Sequence, residues 1–401
     1  MEMMLDDVKI LDFTTNVAGP GASAMASDFG AQVIKIESQT GDSARTYAPF
    51  MDGKGMTHAW VNRGKKSVVM NLKDPRAIEV CKKLVKEADI LVEGFRPGVM
   101  DRLGLGYETL KEINPKLIYC SVSAFGQTGP YAQRPGFDLL GQALSGMISV
   151  NGEKGGHPIK HGVTIADYFA GPNAYAAIMT ALHYQRRTGK GQHIDVSLLQ
   201  GMIYLNSTID RLNDGLIVKP NGGHHSALCP FGGFWNSKDE GVIICAPNPK
   251  SWATVAKAMD RPDFLTDPKY ATVNVRAANQ VEIIAEIEAW LDTFPNIDAA
   301  IERMMECGVP CCKINNDQDV VNDPQVQHMG YIVQAPTPDD VTSKDTFLTR
   351  GPNAFFSETP GYIHKAAALG QHTQEVLSGL GYSDEEIASM LADWKPNADK
   401  V

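Results

Sequence analysis

The sequence predicts an α/β protein with a Rossmann-like large domain, built on a parallel sheet, and a smaller α/β domain. Short β-type runs alternate with helical stretches through the first third of the chain. Strands separated by helices imply right-handed crossovers, which produce a parallel sheet covered on both faces. Of the 401 residues, 43% are hydrophobic and 21% are charged. This composition excludes a disordered or coiled-coil protein.

The large domain is predicted from its alternating elements. The β-type runs are residues 8–13, 32–37, 67–72, 90–93 and 117–122, with helices at 22–29, 75–88 and 107–113. A long helix is expected at residues 167–187, because Gly189 supplies a C-cap just after it. A strand at 194–196 and a mostly apolar helix at 198–212 follow.

A shift in composition marks the second domain. It begins at a turn-rich loop, residues 220–225. Strands at 231–235 and 242–245 and helices at 252–259, 278–290 and 297–307 follow, then a return segment at 331–334 and closing helices at 373–380 and 384–392. We therefore predict three parts: residues 1–220 as the first part of the large domain, 221–325 as the small domain, and 326–401 as a return to the large domain.

Charge and hydropathy exclude two classes of partner. The chain carries 37 basic and 47 acidic side chains, a formal charge of −10, and no dense Lys/Arg block, so we expect no nucleic-acid binding. No run approaches the ~20 apolar residues of a membrane span, so we expect no membrane partner. The acidic start and seven scattered cysteines are typical of a cytoplasmic protein with free thiols.

Two common catalytic patterns are absent. A dinucleotide site requires G-x-G-x-x-G after the first strand. Residues 18–21 offer only Gly19 and Gly21, and Pro20 removes an N–H that would face a phosphate. No serine is framed as G-x-S-x-G, the nucleophile elbow of hydrolases.

Metal ligands are not grouped in the sequence either. His157 and His161 are separated by a proline and flanked by glycines, and Cys307, Cys311 and Cys312 form no paired C-x-x-C. Incidental thiols and histidines explain them better than zinc does. We therefore expect no metal and no tightly bound cofactor.

Basic residues follow two of the predicted strands. Lys73 comes after the third strand, and Arg96 and Arg102 come after the fourth. The carboxyl ends of parallel strands are where such sheets bind ligands, and Lys and Arg there suit phosphates. The alternative is solvated surface charge.

Asp167 is the notable acid, since it lies in an apolar, aromatic stretch at a predicted helix start. One interpretation is an N-cap, whose carboxylate binds free backbone N–H groups. The other is a nucleophile, because an aspartate of ordinary pKa about 3.9 is already ionised and a helix N-terminus would hold it so. Both interpretations are compatible.

The chain resembles the family III CoA-transferases of the CaiB/BaiF type over nearly its whole length. The motifs that carry the resemblance are LDFT (11–14), AGP (18–20), FGAQVIKIE (29–37), GD (41–42), NRGKKS (62–67), ADILVE (88–93), FGQTGP (125–130) and TGKGQ (188–192). Many motifs in one order are far more specific than any single one. The resemblance implies an interlocked homodimer, two chains threaded like links.

The resemblance also implies roles for individual residues. Asp167 matches the nucleophile, and Gly222 and Gly223 match a glycine-containing substrate loop. The positions that match CoA contacts are Val17, Ala18, Met70, Asn71, Leu72, Lys73, Gly94, Phe95, Arg96, Arg102, Pro135, Gly136, Phe137 and Asp138. Two positions depart from some members: Ser38 replaces a basic residue, and Val17 replaces a polar one of the formyl-CoA enzyme, which argues against formate or oxalate as substrate.

The implied activity is transfer of CoA from an acyl-CoA donor to a carboxylic acid acceptor. In the resembling enzymes the aspartate forms an acyl anhydride and then an aspartyl-CoA thioester. An α-methylacyl-CoA racemase is the first alternative, but Phe137 stands where that reaction needs a proton-transferring histidine. A non-catalytic CoA-binding protein is the second, and an intact Asp167 argues against it.

Overall fold

A computed structural model describes residues 3–396 of the chain. The strands are β1 (Lys9–Phe13), β2 (Gln32–Glu37), β3 (Phe50–Met51), β4 (Lys54–Gly55), β5 (Lys65–Val69), β6 (Ile90–Glu93), β7 (Ile118–Ser123), β8 (Gln192–Ser197), β9 (Phe231–Trp235), β10 (Gly241–Cys245), β11 (Cys311–Lys313), β12 (Ile332–Pro336) and β13 (Thr346–Arg350). The α-helices are α1 (Ala18–Asp28), α2 (Met56–Val61), α3 (Pro75–Val85), α4 (Val99–Arg102), α5 (Tyr107–Ile113), α6 (Asp138–Leu144), α7 (Ile165–Thr188), α8 (Leu198–Leu205), α9 (Pro249–Ala258), α10 (Val273–Ala278), α11 (Gln280–Leu291), α12 (Ile297–Glu306), α13 (Asp317–Asn322), α14 (Pro324–Met329), α15 (Thr373–Gly379) and α16 (Asp384–Trp394).

A six-stranded sheet organises the larger part of the chain. Its order is β5-β2-β1-β6-β7-β8, and every pairing is parallel. β1 and β6 are neighbours, with Ile10 opposite Ile90 and Phe13 opposite Glu93. The chain therefore winds outward to β5 and then restarts on the other side of β1. The predicted parallel α/β fold is confirmed.

Helices cover both faces of this sheet. On one face α3, α5, α15 and α16 pack against strand residues such as Leu91, and Trp394 is buried there. On the other face α1 and α7 pack against residues such as Val92. Covered faces explain why the central strands are almost continuously apolar, which is the pattern expected of a parallel sheet.

The chain divides into two compact units. The first runs from the N-terminus to Met147, resumes at His161–Ser207, and continues from Gln327 through the rest of the described chain. The second comprises Ile148–Lys160 and Thr208–Val326 and contains the antiparallel sheet β11-β10-β9. Residues 148–160 and 208–220, expected in the large domain, thus belong to the second unit.

Several element boundaries differ from the prediction. The third predicted strand starts earlier and ends at Val69, because Asp74 N–H donates to Asn71 and closes a turn. The helix expected to 212 ends at Leu205 and is followed by a 3₁₀ segment. Residues 18–21, which precede the helix predicted at 22–29, form the first turn of α1, where Pro20 needs no N–H partner. The short elements β3, β4, α2, α4, α6, α10, β11, α13 and α14, and the strand β13, were not predicted.

Ionised side chains fill the space between β1, β2, β5 and the first turn of α1. Asp12 is fully buried and accepts hydrogen bonds from Thr14 N (2.8 Å), Ser23 Oγ (2.6 Å) and Lys65 Nζ (2.7 Å). Burial alone would raise the pKa of Asp12, but Lys35 and Lys65 hold it well below its usual range. Lys65 also donates to Pro20 O, 2.8 Å away. These bonds fasten the first turn of α1 to two strands.

The same network continues through Asp42. Lys35 Nζ lies 3.0 Å from Asp42 Oδ2 and donates to Thr14 O at 2.7 Å. Asp42 Oδ1 accepts from Ala44 N at 3.0 Å and Asn16 N at 2.9 Å. The turn after β1, residues 14–16, is therefore held by buried charges on two sides.

Within the described part of the chain, no helix combines the length and apolarity needed to cross a membrane. The described residues also contain no group of three or more His, Cys, Asp or Glu side chains that could hold a metal ion. All seven cysteines lie in this part of the chain and are free.

We predict that Asp12→Ala strongly destabilises the fold, because it leaves Lys65 and Lys35 buried without their shared carboxylate. Breaking a buried ion pair from one side costs about 3–5 kcal/mol of unfolding free energy. The matched control is Glu87→Ala, which breaks the exposed Lys9–Glu87 pair (2.8 Å) and should cost less than about 1 kcal/mol. Urea unfolding of the three proteins measures both changes. Equal losses in the two variants would contradict the prediction.

Candidate active site

A cleft of about 230 Å³ opens at the carboxyl end of the sheet, where β1 and β6 meet. Loops that follow β1, β6 and β7 form its walls, and Asp167 reaches it from α7. The lining residues are Thr14, Thr15, Asn16, Ala18, Gly19, Gly94, Phe95, Arg96, Pro97, Val122, Ser123, Ala124, Phe125, Ala132, Arg134, Pro135, Gly136, Phe137, Asp167 and Leu198. This is the point where the strand order reverses, the usual ligand position in such sheets.

Close helix packing brings Asp167 to this cleft. α1 and α7 cross with small residues in contact, and a Cβ at Gly171 would lie only 3.1 Å from Ala18 O. A larger residue at position 171 would therefore push the helices apart. Because Asp167 lies one turn before Gly171, this contact holds its carboxylate beside the first turn of α1.

Asp167 does not cap its own helix, so the N-cap interpretation is wrong. α7 begins at Ile165, and Thr164 is the cap residue without a side-chain hydrogen bond. The capping carboxylate is Asp138, buried at the start of α6. Its Oδ1 accepts from Ala166 N at 2.7 Å and Asp167 N at 3.3 Å. A residue 28 positions away therefore satisfies the free N–H groups of α7.

A glutamine fixes the capping carboxylate in place. Gln142 Nε2 donates to Asp138 Oδ2 at 2.6 Å, and Gln142 Oε1 accepts from His161 N at 3.1 Å. Asp138 is thus positioned from both its own helix and the segment leading into α7. The resemblance places Asp138 among the CoA contacts, and the sequence around it carries no signal for capping a helix elsewhere in the chain.

The capping arrangement changes the chemistry of Asp167. Burial raises the pKa of Asp167 to about 7, and the nearby Asp138 charge adds to the effect. The expectation of an ordinary ionised aspartate held by a helix N-terminus is therefore wrong. The N–H groups that would stabilise its charge are already bonded to Asp138. Among residues 3–396, none donates a hydrogen bond to the Asp167 carboxylate.

Half of the predicted CoA contacts line this cleft. They are Ala18, Gly94, Phe95, Arg96, Pro135, Gly136 and Phe137. Phe137 is 70% exposed and immediately precedes α6. Arg96 and the unpredicted Arg134 bring two guanidinium groups to the cleft, and within the described chain neither has an ion-pair partner.

Other predicted contacts lie elsewhere. Val17 is buried in an apolar cluster with Ala44 and Val61, and Met70 is buried in the core beside Cys81. Asn71, Leu72 and Lys73 form a tight turn after β5, where Lys73 N donates to Asn71 Oδ1 at 3.1 Å. Arg102 is exposed at the end of α4. Their roles stay predictions.

The predicted substrate loop belongs to the second unit. Gly222 has a positive φ of 65° and donates its N–H to Gly152 O at 3.0 Å. A Cβ at Gly223 would lie 2.8 Å from the Trp235 ring. Both glycines are therefore required by the local packing of that unit, and their role toward substrate stays a prediction.

A buried glutamate behind the cleft holds the loop that carries Arg96. Glu93, the last residue of β6, accepts a hydrogen bond from Phe95 N at 2.8 Å. Burial raises the pKa of Glu93 to about 7. Arg96 separates the cleft from a polar cavity of about 180 Å³ that Glu93, Ser121 and His193 line. This supporting role of Glu93 was not predicted from the sequence.

We predict that Asp138→Asn lowers the pKa of Asp167. The amide removes a negative charge, which favours the ionised form of Asp167, while its oxygen can still accept from Ala166 N. Carboxyl ¹³C NMR across pH 4–10 measures the titration, because this range of ~6 pH units spans a carboxyl group that titrates near 7. The variant Asp167→Asn assigns the signal. An unchanged pKa in the variant would show that burial alone sets the value.

Comparisons with known proteins identify the family. The model of "CoA-transferase family III" matches residues 5–373. Human succinyl-CoA:glutarate CoA-transferase is 35% identical over 97% of this chain and 89% of its own length. Succinate–glutarate CoA-transferase of Agrobacterium fabrum is 34% identical over 94% of this chain and 95% of its own.

A solved structure agrees with these sequence matches. The crystal structure of a CaiB/BaiF family protein from Brucella suis superposes with a TM-score of 0.82 and 32% identity, covering 95% of this chain and 100% of that one. Fold, motifs and relatives therefore lead to one conclusion: the chain belongs to CoA-transferase family III and is a CoA-transferase.

Proposed function

We propose that this enzyme moves CoA from an acyl-CoA to a carboxylic acid with Asp167 as the covalent nucleophile. The observation that supports this most directly is the state of Asp167. It lines the cleft at the carboxyl end of the sheet, and its pKa is raised to about 7. A carboxylate that is poorly solvated and not hydrogen-bonded is more basic than an ordinary aspartate, and so a better nucleophile.

The exchange proceeds through two types of covalent intermediate. Asp167 attacks the thioester carbonyl and the C–S bond breaks. CoA departs as the thiolate, and the product on the enzyme is an acyl-aspartyl anhydride. The thiolate then attacks the Asp167 carbonyl and expels the first acid, which gives an aspartyl-CoA thioester. The acceptor carboxylate repeats these steps in reverse, forming a new anhydride that CoA thiolate cleaves to the product thioester. Each step transfers an acyl group, so the thioester energy is retained rather than lost to water.

Asp138 acts as a positioning residue in this scheme. It holds the first turn of α7 through Ala166 N and Asp167 N, and its charge raises the pKa of Asp167. The ionised, reactive fraction of Asp167 therefore grows as the pH rises through about 7. We infer an acid limb in the rate profile near that pH.

The basic side chains of the cleft support binding of CoA. Arg96 and Arg134 lie in the same cleft as Asp167. A guanidinium group binds phosphate through two parallel N–H···O hydrogen bonds. CoA is a substrate in this proposal, and the enzyme holds no tightly bound cofactor. Arg102, exposed on α4, would meet the nucleotide end.

A short dicarboxylic acid is the acceptor that we propose. The human and Agrobacterium relatives are named for succinate and glutarate. The cleft, at about 230 Å³, has room for an acid of that size. Its mixture of Thr15, Asn16 and arginine side chains suits a polar acceptor better than a long apolar one.

We propose that the enzyme is an interlocked homodimer in the cytoplasm. The first unit exposes apolar side chains on α6 and α8, which include Leu139 (48% exposed), Leu144 (49%) and Tyr204 (82%). An apolar patch of this kind is typical of a protein–protein interface. Free thiols are consistent with a reducing compartment.

Hydroxylamine added during turnover should trap the covalent intermediate. It attacks anhydrides and thioesters, so mass spectrometry should find a hydroxamate on the peptide that contains Asp167. Asp167→Asn should bind CoA normally, turn over nothing and carry no label. A label on a different acid, or none during active turnover, would refute the nucleophile assignment.

Arg96→Ala should weaken binding of the CoA donor roughly 10- to 150-fold, the value of one charge-assisted bond to phosphate. The loss should appear mainly in KM, because a contact to phosphate is made equally in the ground state and the transition state. Arg102→Ala should lose discrimination between CoA and dephospho-CoA if it meets the 3′-phosphate. Arg187→Ala, in the last turn of α7, is the matched control. If Arg96→Ala and Arg102→Ala both bind CoA as the parent does, these two arginines are surface charges without a role in CoA binding.

A further inference from the structure

Asn16 has an unusual backbone conformation at the wall of the cleft. Its φ is 71°, a backbone angle that residues other than glycine rarely adopt, although asparagine tolerates it. The other non-glycine residues with positive φ in the described chain are Asp52, Asp239 and Asp260. Those three lie in connections outside the cleft, whereas Asn16 lines it together with Asp167.

The turn at Asn16 is held by the buried charges described above. Asp42 Oδ1 accepts the Asn16 N–H at 2.9 Å. Asp42 is itself held by Lys35 at 3.0 Å and by Asn62 Nδ2 at 3.0 Å. The backbone of Asn16 is thus fixed independently of its own side chain.

The side-chain amide is oriented as well. Tyr47 Oη donates to Asn16 Oδ1 at 2.6 Å, so the amide oxygen is occupied. The amide nitrogen makes one long bond, 3.3 Å, to Thr15 Oγ1. Since an amide nitrogen carries two hydrogens, Asn16 retains donor capacity. Its neighbour Val17 is buried among apolar residues and supplies no polar group.

The place of Asn16 relative to Asp167 indicates what this donor meets. Ala18 contacts α7 near Gly171, and Asn16 lies two residues before it, a span of at most about 7 Å. A short acid with one carboxylate at Asp167 would lie in the cleft of about 230 Å³ whose wall also includes Asn16. Its far end would then reach the amide of Asn16.

We propose that Asn16 is a specificity-determining residue whose amide N–H donates to the distal carboxylate of a short dicarboxylic acceptor. This inference rests on the proposed function and names the residue that selects its substrate class. An amide donor favours a carboxylate over a methyl group, because a bound methyl group leaves the donor without a partner.

The test compares glutarate with pentanoate, acids of equal length that differ in the distal carboxylate. With saturating succinyl-CoA, the readout is the ratio of kcat/KM for the two acceptors. Asn16→Gly tolerates the positive φ and keeps the N–H bond to Asp42, so it removes only the amide. We expect the glutarate-to-pentanoate ratio to fall about 10- to 100-fold, as for a lost hydrogen bond to a charged group.

A second variant and a control exclude a merely structural effect. Asn16→Asp keeps the shape and the acceptor for Tyr47 but repels a carboxylate, so its ratio should fall below that of Asn16→Gly. Asp239→Gly, the same kind of change in the β9–β10 turn, should leave the ratio at the parent value. A parent-like ratio in Asn16→Gly, or an equal loss with both acids, overturns the inference while the proposed function stands. A parent enzyme inactive with every acid refutes both.

Discussion

Buried ion pairing among side chains of β1, β2, β5 and the loop after β2 is the constraint on which the site depends. Four charged side chains are buried together here: Asp12, Lys35, Asp42 and Lys65. Each buried charge is stable only because a side chain of opposite charge lies beside it. Their hydrogen bonds end on backbone atoms of the turn after β1 and of the first turn of α1. The network thereby holds these two backbone segments against the rigid sheet, where they form one wall of the cleft.

Asp167, the proposed nucleophile, has a raised pKa because its helix does not stabilise its charge. Helix α7 would ordinarily offer its first N–H groups to a nearby carboxylate, but Asp138 takes those groups and adds a like charge. Asp167 is left partly buried, with no hydrogen-bond donor to its carboxylate among the described residues. Asp138 therefore holds the helix while Asp167 has a raised pKa, a difference set by environment rather than by residue type.

Periodicity predicted the parallel sheet and the long helix that begins near Asp167, because these follow from local patterns. The same patterns could not show that Asp138 caps a helix 28 residues away, since capping across elements depends on tertiary packing. For the same reason, the sequence could not predict the φ of Asn16 or the burial of Val17 and Met70. Short elements such as α6 escaped detection because seven residues carry too little periodicity.

The separation between Asp138 and α7 has a consequence for how this family can vary. The chain between them leaves the first unit at Ile148 and returns at His161, and residues 153–160 are exposed. Loop-closure entropy grows only slowly with length, so insertions in this excursion would hardly weaken the contact between Asp138 and Ala166. The excursion can therefore lengthen, shorten or change composition while Asp167 keeps the same surroundings, so evolution can remodel this segment without changing the site.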